Sequence, residues 1–214
     1  MRRLLEAIRP TIVRILAYDQ MGGRDAVSAS PRARSALGFL VAEWGLALTT
    51  QRAVRGTSAV TLLLADGRTL PVSRIARDPL NDLAILKVEA TRLPTLPIGN
   101  SNALKLGDLV TTLGERPDLP GSVGTIRATT RDTGSNLVAD FPGKPSGAGL
   151  PLVNMQGEVV GIITDTARGR GTAIIRSIPI DRAKPILKDL QVLVGRRLAG
   201  SESTGFASTS PSER

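Results

Sequence analysis

Apolar residues along the chain fall into short runs that are separated by Gly, Pro, Asn and Asp. Two of these runs flank Asp66-Gly67, a dipeptide that favours a two-residue β-hairpin turn. Gln156-Gly157 lies between two later runs in the same way. Short runs bounded by turn residues are typical of β-strands. The pattern therefore predicts about a dozen strands: Thr11–Ala17, Leu37–Val41, Ala47–Thr50, Ser58–Ala65, Thr69–Ile75, Asp82–Val88, Leu109–Leu113, Val123–Thr129, Leu137–Asp140, Leu152–Asn154, Val159–Thr164 and Thr172–Ile178.

Helical patterns are confined to the two ends of the chain. Residues 3–9 predict a short helical lead-in that ends before Pro10. Asp181 is a good N-cap for a closing helix predicted over Arg182–Val194. Between the strands, residues 19–36 are rich in Gly, Ser and Arg and predict a mobile loop. The Ser/Thr/Gly-rich residues 197–214 predict a disordered tail.

The punctuated stretch Leu93–Gly107 divides the predicted strands into two halves. We therefore expect an all-β fold of two tandem β-barrels with a C-terminal helix. Other all-β folds remain open on the pattern alone. The predicted division is 1–18 for the lead-in and first strand, 37–98 for the first barrel, 99–180 for the second barrel and 181–196 for the helix.

The composition excludes several kinds of chemistry. The chain contains no Cys and no His, which removes disulfides, thiolate catalysis, the commonest zinc ligands and the usual general base near neutral pH. Carboxylates are not clustered at the spacing of a calcium loop. We therefore expect no cofactor and no metal site.

The formal net charge is +9, and 23 of the 28 basic residues are Arg. A basic excess permits binding to nucleic acid, an anionic surface or an acidic partner. Only 2% of the residues are aromatic, which argues against base stacking and hence against nucleic acid. A peptide or protein is the expected partner.

No apolar run is long enough for a membrane span, because charged residues such as Glu6, Arg9 and Arg14 interrupt the N-terminal runs. The sequence as given predicts a cytoplasmic location. A start site further upstream would change this prediction to a periplasmic or extracellular one.

Several stretches resemble the protease domain of the HtrA family of trypsin-like serine proteases. The most specific are DPLNDLAILKV at 78–88 and PLVNMQGEVVGI at 151–162. The resemblance extends over most of residues 10–190. It implies the trypsin (chymotrypsin) fold, with two six-stranded antiparallel barrels and an active cleft between them.

The resemblance also gives each position of the family's catalytic triad a residue in this chain. Arg52 lies where the family has its histidine, in a stretch that matches L-T-N-x-H-V-V. Asp82 fills the aspartate position. Ala148 lies where the family has the serine of G-N-S-G-G-P-L-V-N. Arginine stays protonated at neutral pH and alanine has no oxygen, so two members of the triad are replaced.

The same alignment gives the neighbouring positions their expected roles. The oxyanion-hole donors would be the backbone N–H groups of Ser146 and Ala148, and Ser146 replaces a family glycine. Leu150 replaces another glycine and is expected to crowd the turn. The expected cleft-lining residues are Gly147, Gly149, Leu150, Ile163 and Thr164.

These substitutions predict a pseudoprotease, that is, a trypsin-fold domain that binds peptide or protein without cleaving it. One alternative is an active endopeptidase with an unconventional nucleophile such as Ser146, assisted by Lys144. Another is a basic scaffold that binds an anionic partner. We also predict a salt bridge between Asp82 and Arg52. The family often forms trimers and often carries a PDZ domain, for which the chain as given has no room, so a homo-oligomer is an expected partner by resemblance only.

Overall fold

The β-strands form two closed six-stranded antiparallel barrels in the computed structural model. The structure describes residues 1–19, 33–113, 121–130, 136–142, 147–168 and 171–190. The predicted fold class is therefore confirmed. Ser146, Lys144 and the predicted tail 197–214 lie outside the described residues.

The first barrel has the strand order β1-β2-β3-β6-β5-β4. It closes because β1 pairs with both β2 and β4. The predicted hairpin at Asp66-Gly67 is confirmed, since Leu63 pairs with Thr69 and Gly67 has φ +89°. The strands are β1 Ile12–Asp19, β2 Ala33–Ala42, β3 Leu46–Thr50, β4 Thr57–Leu63, β5 Thr69–Asp78 and β6 Leu83–Val88.

Two features of this barrel differ from the expectation. Strand β2 begins at Ala33, so the segment predicted as a loop over 19–36 includes the first residues of a strand. The pairing of Tyr18 with Ala33 extends the ladder into this polar stretch. The barrel also begins at residue 12 rather than at residue 37, because β1 is needed to close it.

The second barrel has the order β10-β11-β12-β9-β8-β7. It closes through the pairing of β10 with β7, in which Val153 lies opposite Thr111. The strands are β7 Leu109–Thr112, β8 Ser122–Ala128, β9 Leu137–Pro142, β10 Pro151–Asn154, β11 Val159–Arg168 and β12 Thr172–Pro179.

Helical segments precede the first barrel and follow the second barrel along the chain. Helix α1 covers Arg2–Ile8, close to the predicted lead-in, and a 3₁₀ turn, Arg9–Thr11, connects it to β1. Another 3₁₀ turn, Ile180–Arg182, precedes the closing α-helix, which is described over residues 184–190. That helix begins two residues later than predicted. Asp181 lies inside the turn, where its carboxylate accepts hydrogen bonds from Ser101 Oγ at 2.5 Å and from the Asn102 N–H at 3.0 Å.

Each barrel has its own apolar core. The first is built from Val, Ile, Leu and Ala side chains such as Val13, Leu40 and Leu86. The second is similar but includes Phe141, and Ile12 and Leu37 from the first barrel pack against it. Among the described residues, no helix is both long and apolar enough to cross a membrane.

Candidate functional site

Two neighbouring strands of the first barrel bring Arg52 and Asp82 together. Strand β3 ends at Thr50, which pairs with Leu83 at the start of β6. The chain continues from β3 into a 3₁₀ turn, Gln51–Val54, while Asp82 immediately precedes β6. The Gln51 N–H donates to the carbonyl oxygen of Asp82 at 2.8 Å. The strand register therefore places residues 30 positions apart in the sequence side by side.

The predicted salt bridge between Arg52 and Asp82 is confirmed. Arg52 Nε lies 2.9 Å from Asp82 Oδ2, and the backbone N–H of Arg52 donates to Asp82 Oδ1 at 3.0 Å. The carboxylate thus binds both the side chain and the backbone of one residue. Asp82 has φ +50°, a left-handed conformation that Asp tolerates better than most residues. The Arg52 side chain is 56% exposed, so solvent weakens the ionic part of the contact.

Arg52 also joins the two barrels. Its Nη2 donates to the carbonyl oxygen of Thr164 in β11 at 2.8 Å. Thr164 Oγ1 in turn donates to the carbonyl of Arg176 in β12 at 3.1 Å. One guanidinium therefore bridges a first-barrel carboxylate and a second-barrel carbonyl, a geometry that suits the planar fork of arginine.

The turn that leads into β10 forms the opposite side of the site. Gly147 and Gly149 both have positive φ, +114° and +92°, a region that glycine adopts without strain. The Gly149 N–H donates to Ile163 O at 2.7 Å, and the Leu150 N–H donates to Gly147 O at 3.2 Å. A Cβ built on Gly149 would lie 1.9 Å from the carbonyl oxygen of Leu37. Only glycine therefore fits this contact between the turn and the first barrel.

Two of the residues that were expected to line the cleft do not line it in the structure. The side chains of Leu150 and Ile163 are fully buried and belong to the core of the second barrel. The reason is the β10–β11 register, in which the Ile163 N–H donates to Leu150 O at 2.9 Å, so that both side chains point away from the cleft. Leu150 therefore fills the core and does not crowd the turn. Gly149 is buried as well, whereas Thr164 is partly exposed and contributes its carbonyl to Arg52.

A cavity of about 540 Å³ adjoins the turn. The exposed Ala148 and the half-buried Gly147 line it on one side, as the sequence predicts for Gly147, and Arg52 lines it on the other. The cavity also contains Arg14 and Arg34, which sequence reasoning did not assign to the site. For Arg14 the sequence carried a signal, because it is a charged residue that interrupts the apolar run of the predicted strand Thr11–Ala17. That pattern does not say which cavity the side chain lines. The full set of described lining residues is Arg14, Arg34, Ser35, Ala36, Leu37, Thr50, Arg52, Ala53, Gly147 and Ala148.

The described part of the chain has no group of three or more Asp or Glu residues that could hold a metal ion. The charged side chains among the described lining residues are instead the three arginines Arg14, Arg34 and Arg52. Ala148 presents only a methyl group at the position where the resemblance expects a nucleophile. Of the two positions predicted to supply the oxyanion-hole donors, Ala148 is described and Ser146 lies outside the described residues. The geometry therefore favours the binding of a group with hydrogen-bond acceptors or negative charge.

Comparison with known proteins adds two findings. Residues 36–162 match the model of the trypsin-like peptidase domain. The chain is also 34% identical over 178 residues to a probable periplasmic serine endoprotease DegP-like of Halomonas elongata, a match that covers 79% of this chain and 36% of the relative. A protein with the same description from Hahella chejuensis is 34% identical over 183 residues, covering 81% and 38%.

The putative serine protease HhoA of a Synechocystis strain is 34% identical over 166 residues, a match that covers 72% of this chain and 42% of that protein. The matches with these relatives thus span roughly two fifths or less of the relatives' length.

Proposed function

The chain belongs to the trypsin-like peptidase family, in its HtrA branch, and from that premise we propose that it is a pseudoprotease that binds extended peptide or protein segments in the cleft between its barrels. The observation that carries the proposal is the Arg52–Asp82 ion pair at the place where the family holds its catalytic base.

The base position supports the loss of hydrolysis. A triad needs an imidazole that takes a proton from the nucleophile near neutral pH. The guanidinium of Arg52 is already protonated and donates to Asp82 and to the Thr164 carbonyl. It has no acceptor atom to offer a nucleophile, and the chain contains no His to replace it.

The nucleophile position also supports the loss of hydrolysis. Ala148 is exposed at the cavity, as a nucleophile should be, but its side chain carries no oxygen. The glycines on either side of it have positive φ values, which suits the Gly-rich motif of the family, while the side chain between them supplies no reactive atom.

The surroundings of the turn support binding. The barrels leave a cavity of about 540 Å³, within the range of pockets that hold small ligands or peptide side chains. Loss of the triad does not require loss of the cleft, and an extended peptide binds partly through backbone groups.

Labelling with a fluorophosphonate tests the loss of activity, because the reagent reacts with activated serines. We expect no labelling of this protein under conditions that label trypsin completely. Labelling that disappears in Ser146→Ala but persists in Ser35→Ala, a serine that also lines the cavity, would identify an unconventional nucleophile and overturn the proposal.

Binding is tested separately with fluorescein-labelled unfolded casein as a generic extended polypeptide. Ala148→Tyr fills the cavity from an exposed position and is expected to weaken binding. Ala59→Tyr is the matched control, because Ala59 is an exposed strand residue that does not line the cavity. Equal binding by all three proteins would place the binding surface elsewhere.

Two further properties belong to the proposal. The family resemblance favours a homotrimer, which light scattering would detect as three times the 22.5 kDa chain mass. The descriptions of the two DegP-like relatives favour the periplasm, the second of the two predicted locations. Cell fractionation distinguishes this compartment from the cytoplasm.

A further inference from the structure

A second cavity, of about 570 Å³, lies where the segment that leads into β7 meets the turn between β10 and β11. These two parts of the chain meet because Asn154, at the end of β10, pairs with Val110 of β7 in the ladder that closes the barrel. The described lining residues fall within 100–109 and 154–158, and none of them lines the cavity beside Ala148. We call this cavity the β7 groove.

Exposed apolar side chains lie in the β7 groove and beside it. Leu109 and Met155 line the groove and are 50% and 40% exposed, and Leu106, which is 61% exposed, lies in the segment that leads into β7. They are three of the five large hydrophobic side chains that are exposed in the described part of the chain. The polar residues Asn100 and Gln156 also line the groove. Exposed apolar side chains that collect at one place and are bordered by polar ones are typical of an interaction site.

Two half-buried carboxylates are the charged side chains among the described lining residues, those of Asp108 and Glu158. Both accept hydrogen bonds from neutral donors. The Lys105 backbone N–H donates to Asp108 Oδ2 at 2.8 Å, and Asn154 Nδ2 donates to Glu158 Oε2 at 2.9 Å. Neither carboxylate forms an ion pair within the described ranges. The groove thus combines apolar surface with two uncompensated negative charges, in a chain whose net charge is +9.

From this arrangement we infer that the β7 groove binds a segment of a partner protein in which basic side chains are interspersed with aliphatic ones. Lys and Arg form charge-assisted hydrogen bonds with carboxylates, and their aliphatic stems cover apolar surface at the same time. A free metal cation would compensate the charge but would leave Leu109 and Met155 uncovered. The groove is a binding surface separate from the cleft, so the inference does not depend on the proposed pseudoprotease function.

Fluorescence anisotropy with two labelled peptides tests the inference on the full chain. One peptide repeats Ser-Leu-Arg, and the other has citrulline, a neutral residue of nearly the same shape, in place of each Arg. We expect the Arg peptide to bind about tenfold more tightly at about 0.15 M salt, where distant charges are screened and half-buried ones are screened less. The net positive charge of the protein by itself predicts the opposite order.

Asp108→Asn and Glu158→Gln remove each charge and keep the side-chain oxygen that accepts the hydrogen bond, so the local structure is retained. Each variant is expected to lower the affinity for the Arg peptide by about three- to fivefold and to leave the affinity for the citrulline peptide unchanged. Glu43→Gln is the matched control, because Glu43 is an exposed acid that does not line the groove.

Met155→Ala tests the apolar part of the groove. It should lower the affinity for both peptides by about threefold, because both carry the same leucines. Leu80→Ala is its control, since Leu80 is 97% exposed and lies outside the groove.

Three results would overturn the inference. Equal affinity for the Arg and citrulline peptides would mean that the carboxylates do not recognise a cation. Equal losses in Glu158→Gln and Glu43→Gln would reduce the effect to the overall charge. An oligomer that dissociates when Asp108→Asn and Glu158→Gln are combined would make a second copy of this chain the occupant. Ala148→Tyr should leave the Arg peptide unaffected while it weakens casein binding, so failure of the groove and failure of the cleft are distinguishable.

Discussion

The two sides of the cleft are held by different kinds of contact. On the first-barrel side, the Asp82 carboxylate binds both the side chain and the backbone N–H of Arg52. On the second-barrel side, Gly147 and Gly149 give the turn two positive φ values, and Ala148 between them has no side-chain oxygen. One side thus depends on a polar interaction, and the other depends on the shape of its backbone.

This difference indicates which part of the site contributes more to the free energy of unfolding. The Arg52–Asp82 pair is exposed to solvent, and exposed ion pairs contribute about 0–1 kcal/mol. Within the turn, Gly149 is buried against Leu37, and the chain then enters the core at Leu150. We therefore expect substitutions in the turn to destabilise the fold much more than substitutions in the ion pair.

Gly149→Ala is the most severe test of the second-barrel side. The new Cβ would lie 1.9 Å from Leu37 O, and alanine is strained at φ +92°. We expect a loss of about 3–5 kcal/mol in the free energy of unfolding, measured by urea denaturation followed by circular dichroism. Gly67→Ala is the control, because Gly67 has a similar φ of +89° with nothing within 4 Å of the added Cβ. For Gly67→Ala the free energy of unfolding should fall by only about 1 kcal/mol. Equal losses would mean that strain in φ, rather than the contact with Leu37, makes glycine necessary.

Leu150→Ala tests whether the turn is anchored in the core. Leu150 is fully buried, so the substitution should leave a cavity and cost about 2–5 kcal/mol. Leu80→Ala is the matched control, since that side chain is 97% exposed and its removal should change stability by less than about 0.5 kcal/mol. A loss below about 1 kcal/mol for Leu150→Ala would contradict its place in the core. The measurement is the same urea denaturation.

Asp82→Ala removes the carboxylate from the first-barrel side. It deletes the acceptor of the Arg52 backbone N–H and places alanine at φ +50°, so we expect a loss of about 1–2 kcal/mol. Asp82→Asn keeps a side-chain oxygen, and asparagine tolerates a positive φ. Its loss in the free energy of unfolding should therefore be about half as large. If the two variants were equally destabilised, the charge rather than the hydrogen bond and the conformation would dominate. Urea midpoints of the two variants make the comparison.

Arg52→Lys is expected to have the smallest effect. A lysine can reach Asp82 or the Thr164 carbonyl but cannot hold both with the fixed spacing of a guanidinium, so we expect a loss of about 0.5 kcal/mol. Arg68→Lys, in the exposed pair with Asp66, is the control and should change stability by less. A larger loss in the control would show that the contact between the barrels adds nothing. Thermal unfolding midpoints resolve the comparison.

Much of this architecture could be predicted from local patterns. The Asp66-Gly67 turn, the short strands and the separation into two halves follow from turn residues and apolar runs, which depend on neighbours within a few positions. The family motifs also single out Arg52, Asp82 and Ala148, and the first two of these residues predict the salt bridge that the structure shows. The positions of strand ends were less accurate, as the start of β2 at Ala33 shows.

The sequence by itself determined that no imidazole and no thiol is available for catalysis, because the chain contains no His and no Cys. Through the family resemblance it also predicts that Ala148 takes the position of the nucleophile. Only the tertiary structure decided that Leu150 and Ile163 belong to the core, that Arg52 reaches a carbonyl 112 positions away, and that Arg14 and Arg34 line the same cavity. The physical reason is that local patterns specify strands and turns. The register and closure of the barrels then decide which distant side chains meet and which way each one points.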